Sequence, residues 1–228
     1  MGAGRPGKES AAVGRVVMRT VALSYNERMT TSGSTPRIRL TQAFYLGVLA
    51  LVAISGGRSL QGGIALVAQS AGFVLVVAAV LGRLWTTLFI AGHKDERLVR
   101  EGPFSLCRHP LYLGSIIGAS GIGLTTLSLT LALALPLIVG AIVFAAARRE
   151  DAALLAAYGD AWREYRDRVP AFWPNSLRQR SPEWVTVPPN IYRKAFLDAA
   201  SYLSLWLLVL LLEDLRAGGA WQPFFRLP

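Results

Sequence analysis

Apolar residues in this chain fall into long unbroken blocks, not into the alternating or one-faced patterns of water-soluble elements. The blocks run from about Leu40 to Ser55, Ile64 to Ile90, Leu111 to Leu124, Leu127 to Ala147 and Ala195 to Leu212. Each approaches the roughly 20 residues that carry a helix across a bilayer, the first and third being short. No charged residue occurs between Tyr112 and Arg148, and only a few small residues around Thr125-Thr126 part the third block from the fourth. Those two blocks therefore predict an antiparallel helical hairpin, kinked in its second arm at Pro136. From Glu150 the pattern changes. Leu154, Leu155, Tyr158, Trp162, Tyr165 and Val169 recur at helical spacing, with Asp160, Arg163, Glu164, Arg166 and Asp167 facing away. This predicts an amphipathic helix on the membrane surface or against the bundle, ended by Pro170. The expected fold is all-α: a polytopic integral membrane helical bundle with about five transmembrane helices and one cytoplasmic amphipathic helix.

Organisation follows the same pattern. Residues 1–36, rich in Gly, Ser, Thr and Arg, read as a disordered basic arm. Residues 37–175 read as the membrane core, and residues 176–228 as a proline-rich loop with a C-terminal transmembrane helix. Asp198, near the start of that last helix, is expected to meet a polar neighbour or to sit in the interface.

Composition agrees: 53% hydrophobic residues, 17% charged and a mean hydropathy of +0.40 exclude an ordinary soluble enzyme. The net charge of +10 would suit nucleic acid, but its arginines and lysines cluster in the loops that join apolar blocks. That is a topological signal, so nucleic acid is not expected as a partner. Arg37 and Arg39, then Lys94, Arg97, Arg100 and Arg108, then the basic residues from Arg148 to Lys194 all fall on one side. The positive-inside bias places that side, and the N-terminus, in the cytoplasm, in the inner membrane of a bacterium. One cysteine, Cys107, and two histidines, His93 and His109, leave no disulfide and no expected metal site.

Two polar stretches on that side carry the candidate chemistry. Glu101 to Tyr112 gathers arginine, histidine, two prolines and two aromatics between apolar blocks, and Arg148 to Tyr165 carries the acidic pair Glu150-Asp151. The sequence lacks a glycine-rich nucleotide loop, a zinc-protease motif and a nucleophile elbow. Pro110 suits the first turn of a helix, whose unpaired N–H groups beside His109 can bind a carboxylate. Phe104 and Tyr112 offer faces to a cation or an adenine, and Glu150 adds negative charge at the same rim. S-adenosylmethionine carries a carboxylate, an ammonium, a sulfonium and an adenine, and would use all of these. Either stretch alone is equally well read as an interfacial turn or a solvated helix start. Arg83 reads either as an interfacial anchor or as a guanidinium lining a substrate cleft; with His93, Lys94 and Arg97 it would suit an anionic head group.

Together the stretches resemble a known family. Gly102-Pro103-Phe104 followed by Arg108-His109-Pro110-Leu111-Tyr112-Leu113-Gly114 is similar to the first signature of the integral-membrane isoprenylcysteine carboxyl methyltransferase and phospholipid methyltransferase family. Glu150-Asp151, Leu154, Tyr158-Gly159, Trp162, Tyr165 and Val169-Pro170 resemble the second, at the family's usual distance. The resemblance covers about residues 64 to 175. It implies an S-adenosylmethionine-dependent methyltransferase, isoprenylcysteine carboxyl methyltransferase-like, acting on a membrane lipid or lipidated substrate. A phospholipid head group, amine or phosphate, is the alternative acceptor, and a non-catalytic assembly or transport protein on the same scaffold is the alternative class. Carried onto this chain, the cofactor would contact Glu96, Arg97, Leu98, Val99, Phe104, His109, Pro110, Leu111, Tyr112 and Glu150. Arg108 and Glu150 are the candidate catalytic residues, and Arg83, His93 and Arg149 would face the substrate. The chain departs from the family in having Asp151 for the second glutamate and Ala146 where a substrate-facing arginine is expected. The segment after Asn175 has no family counterpart.

Overall fold

The computed structural model describes residues 46–53, 55–56, 60–90, 97–174, 181–185, 187, 189–220 and 225–226. The chain divides into two compact units, Met1–Val48 and Leu49–Pro228. Residues 46–48 are helical, and everything below concerns the second unit. The arm expected over residues 1–36 lies outside the described residues, as do residues 40–45 and 54 of the first apolar block.

Helices dominate the second unit: α1 (Gly62–Ile90), a 3-10 turn (Gly102–Ser105), α2 (Pro110–Thr125), α3 (Leu129–Tyr158), α4 (Asp160–Arg168) and α5 (Pro189–Ala217). A two-residue parallel pairing of Ser55–Gly56 with Phe225–Arg226 is the one sheet element among the described residues. Three helices, α1, α3 and the stretch Ile191–Ala217 of α5, are long and apolar enough to cross a membrane, with mean hydropathies of 2.4, 2.5 and 2.0. Their outward side chains, such as Val67, Val74, Leu137, Ile142, Leu207 and Leu211, are exposed apolar groups, the surface that acyl chains solvate. α2 is shorter, and its 16 residues extend about 24 Å. Five full-length spans are therefore not seen among the described residues.

α1 and α2 run antiparallel in close contact because small residues let the backbones approach. A Cβ on Gly121 would lie 2.6 Å from the Gly72 carbonyl oxygen, and one on Gly72 would lie 2.7 Å from that of Gly121. α2 and α3 form the expected antiparallel hairpin. Tyr112, Ile116 and Ala119 of α2 pack with Val139 and Val143 of α3, and Phe172 covers the same cluster. The turn between them is tight, with Leu127 at φ 55 and the Ser128 hydroxyl capping α3 through the Leu131 amide. α5 packs antiparallel to α1, joined by Phe73 against Trp206 at 5.0 Å and by Arg83 to Asp198. At the far end, Arg216 of α5 is held by Glu213 and donates to the carbonyls of Val52 and Ala53. It thereby caps the helical residues that end at 53.

One expectation is corrected. The amphipathic pattern from Glu150 is not one continuous helix that begins there. α3 runs unbroken through Arg148, Glu150 and Leu154 to Tyr158, and Pro136 lies inside it. Ala, Leu, Arg and Glu dominate this stretch and propagate a helix readily. The break falls at Gly159, whose φ of 52 is open to glycine, and α4 starts from there as a short piece ending before Pro170. Trp162 and Tyr165 are nonetheless buried as the pattern requires, at 1% and 3% exposure.

The glycine seam yields a contrast between two substitutions. Gly121→Val should cost about 2 kcal/mol by overpacking against Gly72 and Val76. Gly140→Ala, which meets nothing within 4 Å, should leave stability unchanged or raise it by about 0.5 kcal/mol. Thermal unfolding in detergent compares them directly.

Candidate functional site

The polar stretches meet at one end of the hairpin. Gly102 opens the first at φ +60, packed so closely on Phe89 that a Cβ would fall 2.5 Å from the ring. This explains the glycine before Pro103-Phe104: both the backbone angle and the space exclude a side chain. The 3-10 turn then lays Phe104 so that its carbonyl accepts the Tyr165 hydroxyl at 2.6 Å. Burial pushes the Tyr165 phenol well above its ordinary value, which keeps it a donor. Arg100 donates to the Ala161 carbonyl at 2.7 Å and lies over the Tyr165 ring.

The junction itself is made by Asp151. Its Oδ2 accepts from Arg108 at 2.8 Å and its Oδ1 lies 2.8 Å from His109 Nε2. The amides of Arg108 and His109 donate to the carbonyls of Pro170 and Ala171 at 2.8 and 3.0 Å. The Arg108 guanidinium lies 5.6 Å from the centre of the Trp162 ring, and its Nε is buried without a hydrogen-bond partner among the described residues. His109, 4% exposed, lies between Tyr112 and Phe172 at ring distances of 5.6 and 5.7 Å. Its Nδ1 is 3.7 Å from Glu150 Oε2, and the Glu150 side chain is about half exposed. No side chain caps the start of α2, and Pro110 takes its first position.

His109, Pro110, Tyr112 and Glu150 thus come together, with Phe104 nearby on the Tyr165 side. Leu111 begins α2 beside them, and its carbonyl faces Arg83. Arg108 reaches the same place, where it pairs with Asp151 and lies over the Trp162 ring. Arg97 is paired with Glu101 through two 2.9 Å bonds, and Leu98 and Val99 are half-buried in the strand-like approach to that glutamate. Glu96 and His93 lie outside the described residues. Arg83 sits on the other side of α2 with Asp198, and Arg149 is exposed on a face of α3 that points away from Asp151. Sequence reasoning gave Asp151 a lesser role than Glu150, and missed Phe172 and the Arg83–Asp198 pair. Val139, Val143, Ala147 and Asp151 recur at four-residue spacing, which puts Asp151 on the apolar face of α3 and is the sequence signal that could have singled it out. Among the described residues no group of three or more His, Cys, Asp or Glu could hold a metal ion.

The sequence matches the phospholipid methyltransferase family over residues 59–161, a range that holds both Arg108-His109-Pro110 and Glu150-Asp151. It also aligns at 35% identity over 156 residues with the nickel-cobalt-cadmium resistance protein NccN of Alcaligenes xylosoxydans xylosoxydans, covering 68% of this chain and 72% of that one. The chain belongs to the phospholipid methyltransferase family. A second member-like relative is the cobalt-zinc-cadmium resistance protein CzcN of Cupriavidus metallidurans, 37% identical over 138 residues. That match covers 60% of this chain and 63% of the relative, a little under two thirds of its length. No solved structure matches the chain. The family match ends before Trp162, Tyr165 and the whole of α5.

Two outcomes test the junction. Asp151→Ala should lower unfolding stability by about 3 kcal/mol, since it strands two partly buried partners. Glu150→Ala, at a half-exposed carboxylate, should change it by less than about 1 kcal/mol. Chemical denaturation in detergent distinguishes the two. Cys107, 2% exposed, provides a third readout, because burial pushes its thiol from 9.0 up to about 11, outweighing the opposing hydrogen bond from His109. It should resist maleimide at pH 8 until the protein is unfolded. The thiol is the favoured form in the fold, so this contribution is complete below pH 9 and is lost as pH rises towards about 11. The melting temperature should fall across that interval.

Proposed function

We propose that this chain transfers a methyl group from S-adenosylmethionine to a lipid-borne or lipidated acceptor at the cytoplasmic face of the membrane. The observation that carries the reading is the Asp151 carboxylate shared by Arg108 and His109, which joins the two family signatures into one rim. The groups around it fit the cofactor. The start of α2 bears no side-chain cap and suits a carboxylate, and Glu150 beside His109 suits an ammonium. His109, Tyr112 and Phe172 offer an aromatic wall beside these charges. The buried Arg108 Nε–H adds a donor still lacking an acceptor among the described residues.

When bound, the sulfonium supplies an electrophilic methyl group for in-line displacement. The chain's own work is then to hold acceptor and methyl in line and to exclude water. Asp151 and Arg108 fix the His109 ring and the start of α2. Trp162 and Tyr165 close the underside of the rim, and Phe172 covers its hairpin side. A carboxylate or phosphate acceptor needs no base, whereas an ammonium must lose a proton, for which Glu150 is the exposed carboxylate at hand.

The relatives are named for resistance to divalent transition metals, which favours a second reading: a membrane factor in metal tolerance that keeps the scaffold without the reaction. Calorimetry on detergent-purified protein separates the two. S-adenosylmethionine should bind with a Kd on the order of micromolar, and Glu150→Ala and His109→Ala should each abolish binding. Membranes given methyl-labelled S-adenosylmethionine should place label in a lipid fraction, base-labile for an ester and base-stable for an N-methyl product. No binding sinks the enzymatic reading, and binding without transfer to any extracted lipid supports the non-catalytic one.

A further inference from the structure

Arg83 and Asp198 are ionisable residues inside two segments apolar enough to cross a membrane. Charges there are costly and are kept where they act on a partner. Arg83 stands where α1, α2 and α5 meet. Its Nη2 is 2.5 Å from Asp198 Oδ2, and its Nη1 donates to Ser115 Oγ at 3.1 Å and towards the Leu111 carbonyl at 3.4 Å. The guanidinium lies 5.0 Å from the centre of the Tyr202 ring, and the Tyr202 hydroxyl donates to Ser115 at 3.4 Å. The seat is cut for these groups. A Cβ on Gly114 would lie 3.2 Å from the Arg83 stem, and one on Gly118 would lie 2.8 Å from the Tyr202 ring. Leu111 follows His109 by two residues, so the cluster adjoins the first turn of the helix that opens the candidate site.

Exposure within the pair is uneven. The Arg83 side chain is 16% exposed and that of Asp198 is 48% exposed, with the exposed apolar Phe196 and Leu197 beside it. The carboxylate is thus the outward half of the pair. Alone, Arg83 would be the natural receiver of an anionic head group that reaches this contact between α1 and α5. Asp198 occupies that position, and it lies on α5, beyond the family match at 59–161.

We propose that Asp198 is a specificity-determining residue: it neutralises Arg83, so that this surface rejects anionic head groups and admits acceptors without net negative charge. The inference rests on the lipid-acceptor reading above and deepens it. In a low-dielectric setting a fixed like charge is an effective means of rejection. A simple staple between α1 and α5 needs no charge, as Phe73 against Trp206 on the same two helices illustrates.

The test reads lipid selectivity and needs neither S-adenosylmethionine nor transfer. The full chain is reconstituted in 1 M salt, which screens the arginines of the polar loops more than this pair. Spin-labelled phosphatidylglycerol is compared with spin-labelled phosphatidylcholine by the motionally restricted fraction in the resonance spectrum. Wild type and Arg83→Gln/Asp198→Asn should give the same ratio within about twofold, and Asp198→Asn alone should exceed both by roughly tenfold. A wild type that prefers phosphatidylglycerol over the double variant overturns the proposal. So does a folded Asp198→Asn with the wild-type ratio. If Asp198→Asn does not fold, Arg83→Gln is read instead: its remaining carboxylate should enrich a spin-labelled cationic lipid several-fold, and no enrichment overturns the proposal. A chain that keeps this selectivity yet binds no S-adenosylmethionine fails only the enzymatic reading.

Discussion

The shared carboxylate of Asp151 is the interaction on which the site depends. It accepts from Arg108 and faces His109 Nε2, both at 2.8 Å, and so ties the start of α2 to the C-terminal part of α3. Between these residues lies a hairpin with no charged side chain from Leu113 to Ala147 to fix its register by polar contacts. Dispersion and small-residue packing hold the hairpin, but they distinguish neighbouring registers weakly. One bidentate carboxylate, supported by two backbone bonds from Arg108 and His109 to Pro170 and Ala171, sets the register at the end where it matters. Breaking it leaves the Arg108 guanidinium partly buried without the carboxylate it pairs with.

Everything else at that end serves to keep this junction dry and oriented. Trp162 lies under the Arg108 guanidinium, and the Tyr165 hydroxyl holds the Phe104 carbonyl. Gly159 lets the chain turn sharply after α3, so that α4 comes back beneath the 3-10 turn. Glu150 is the half-exposed acid beside His109, 3.7 Å from its Nδ1. The division of labour follows from reach. The shorter Asp151 side chain stays close to the helix and meets both partners at once, and the longer Glu150 points to the open side.

The same economy governs the α1–α2–α5 seam. Gly72 and Gly121 bring two backbones into contact, and Trp206 donates to the Thr125 hydroxyl at 2.9 Å from α5. Only at Arg83 does the seam carry charge, and there it is met at once by Asp198. A membrane-spanning charge pair adjoining the first turn of α2 links the helix outside the family match to the region inside it.

The apolar blocks by themselves determined the helical membrane class, the hairpin and the polar end where His109 and Glu150 meet. Hydrocarbon permits few backbone solutions, so a long uncharged run has little choice but to be a helix. The spacing of the two signatures likewise sufficed to name the family. Other features depended on distances between segments that no periodicity encodes. Helix propensity continued α3 past the point where the amphipathic pattern suggested a new element, and Gly159 alone broke it. Arg83, legible as an anchor or a substrate group, acquired its partner only through the packing of α5, 115 residues away. Asp151, read as the weaker acid of its pair, became the central one because helix phase brought it within 2.8 Å of both Arg108 and His109, whereas Glu150 comes only to 3.7 Å of His109. Sequence fixes which side chains are present and which face of a helix they share. Only the tertiary structure decides which opposite charge lies within hydrogen-bonding reach, because in a low-dielectric interior that choice depends on ångström-scale packing.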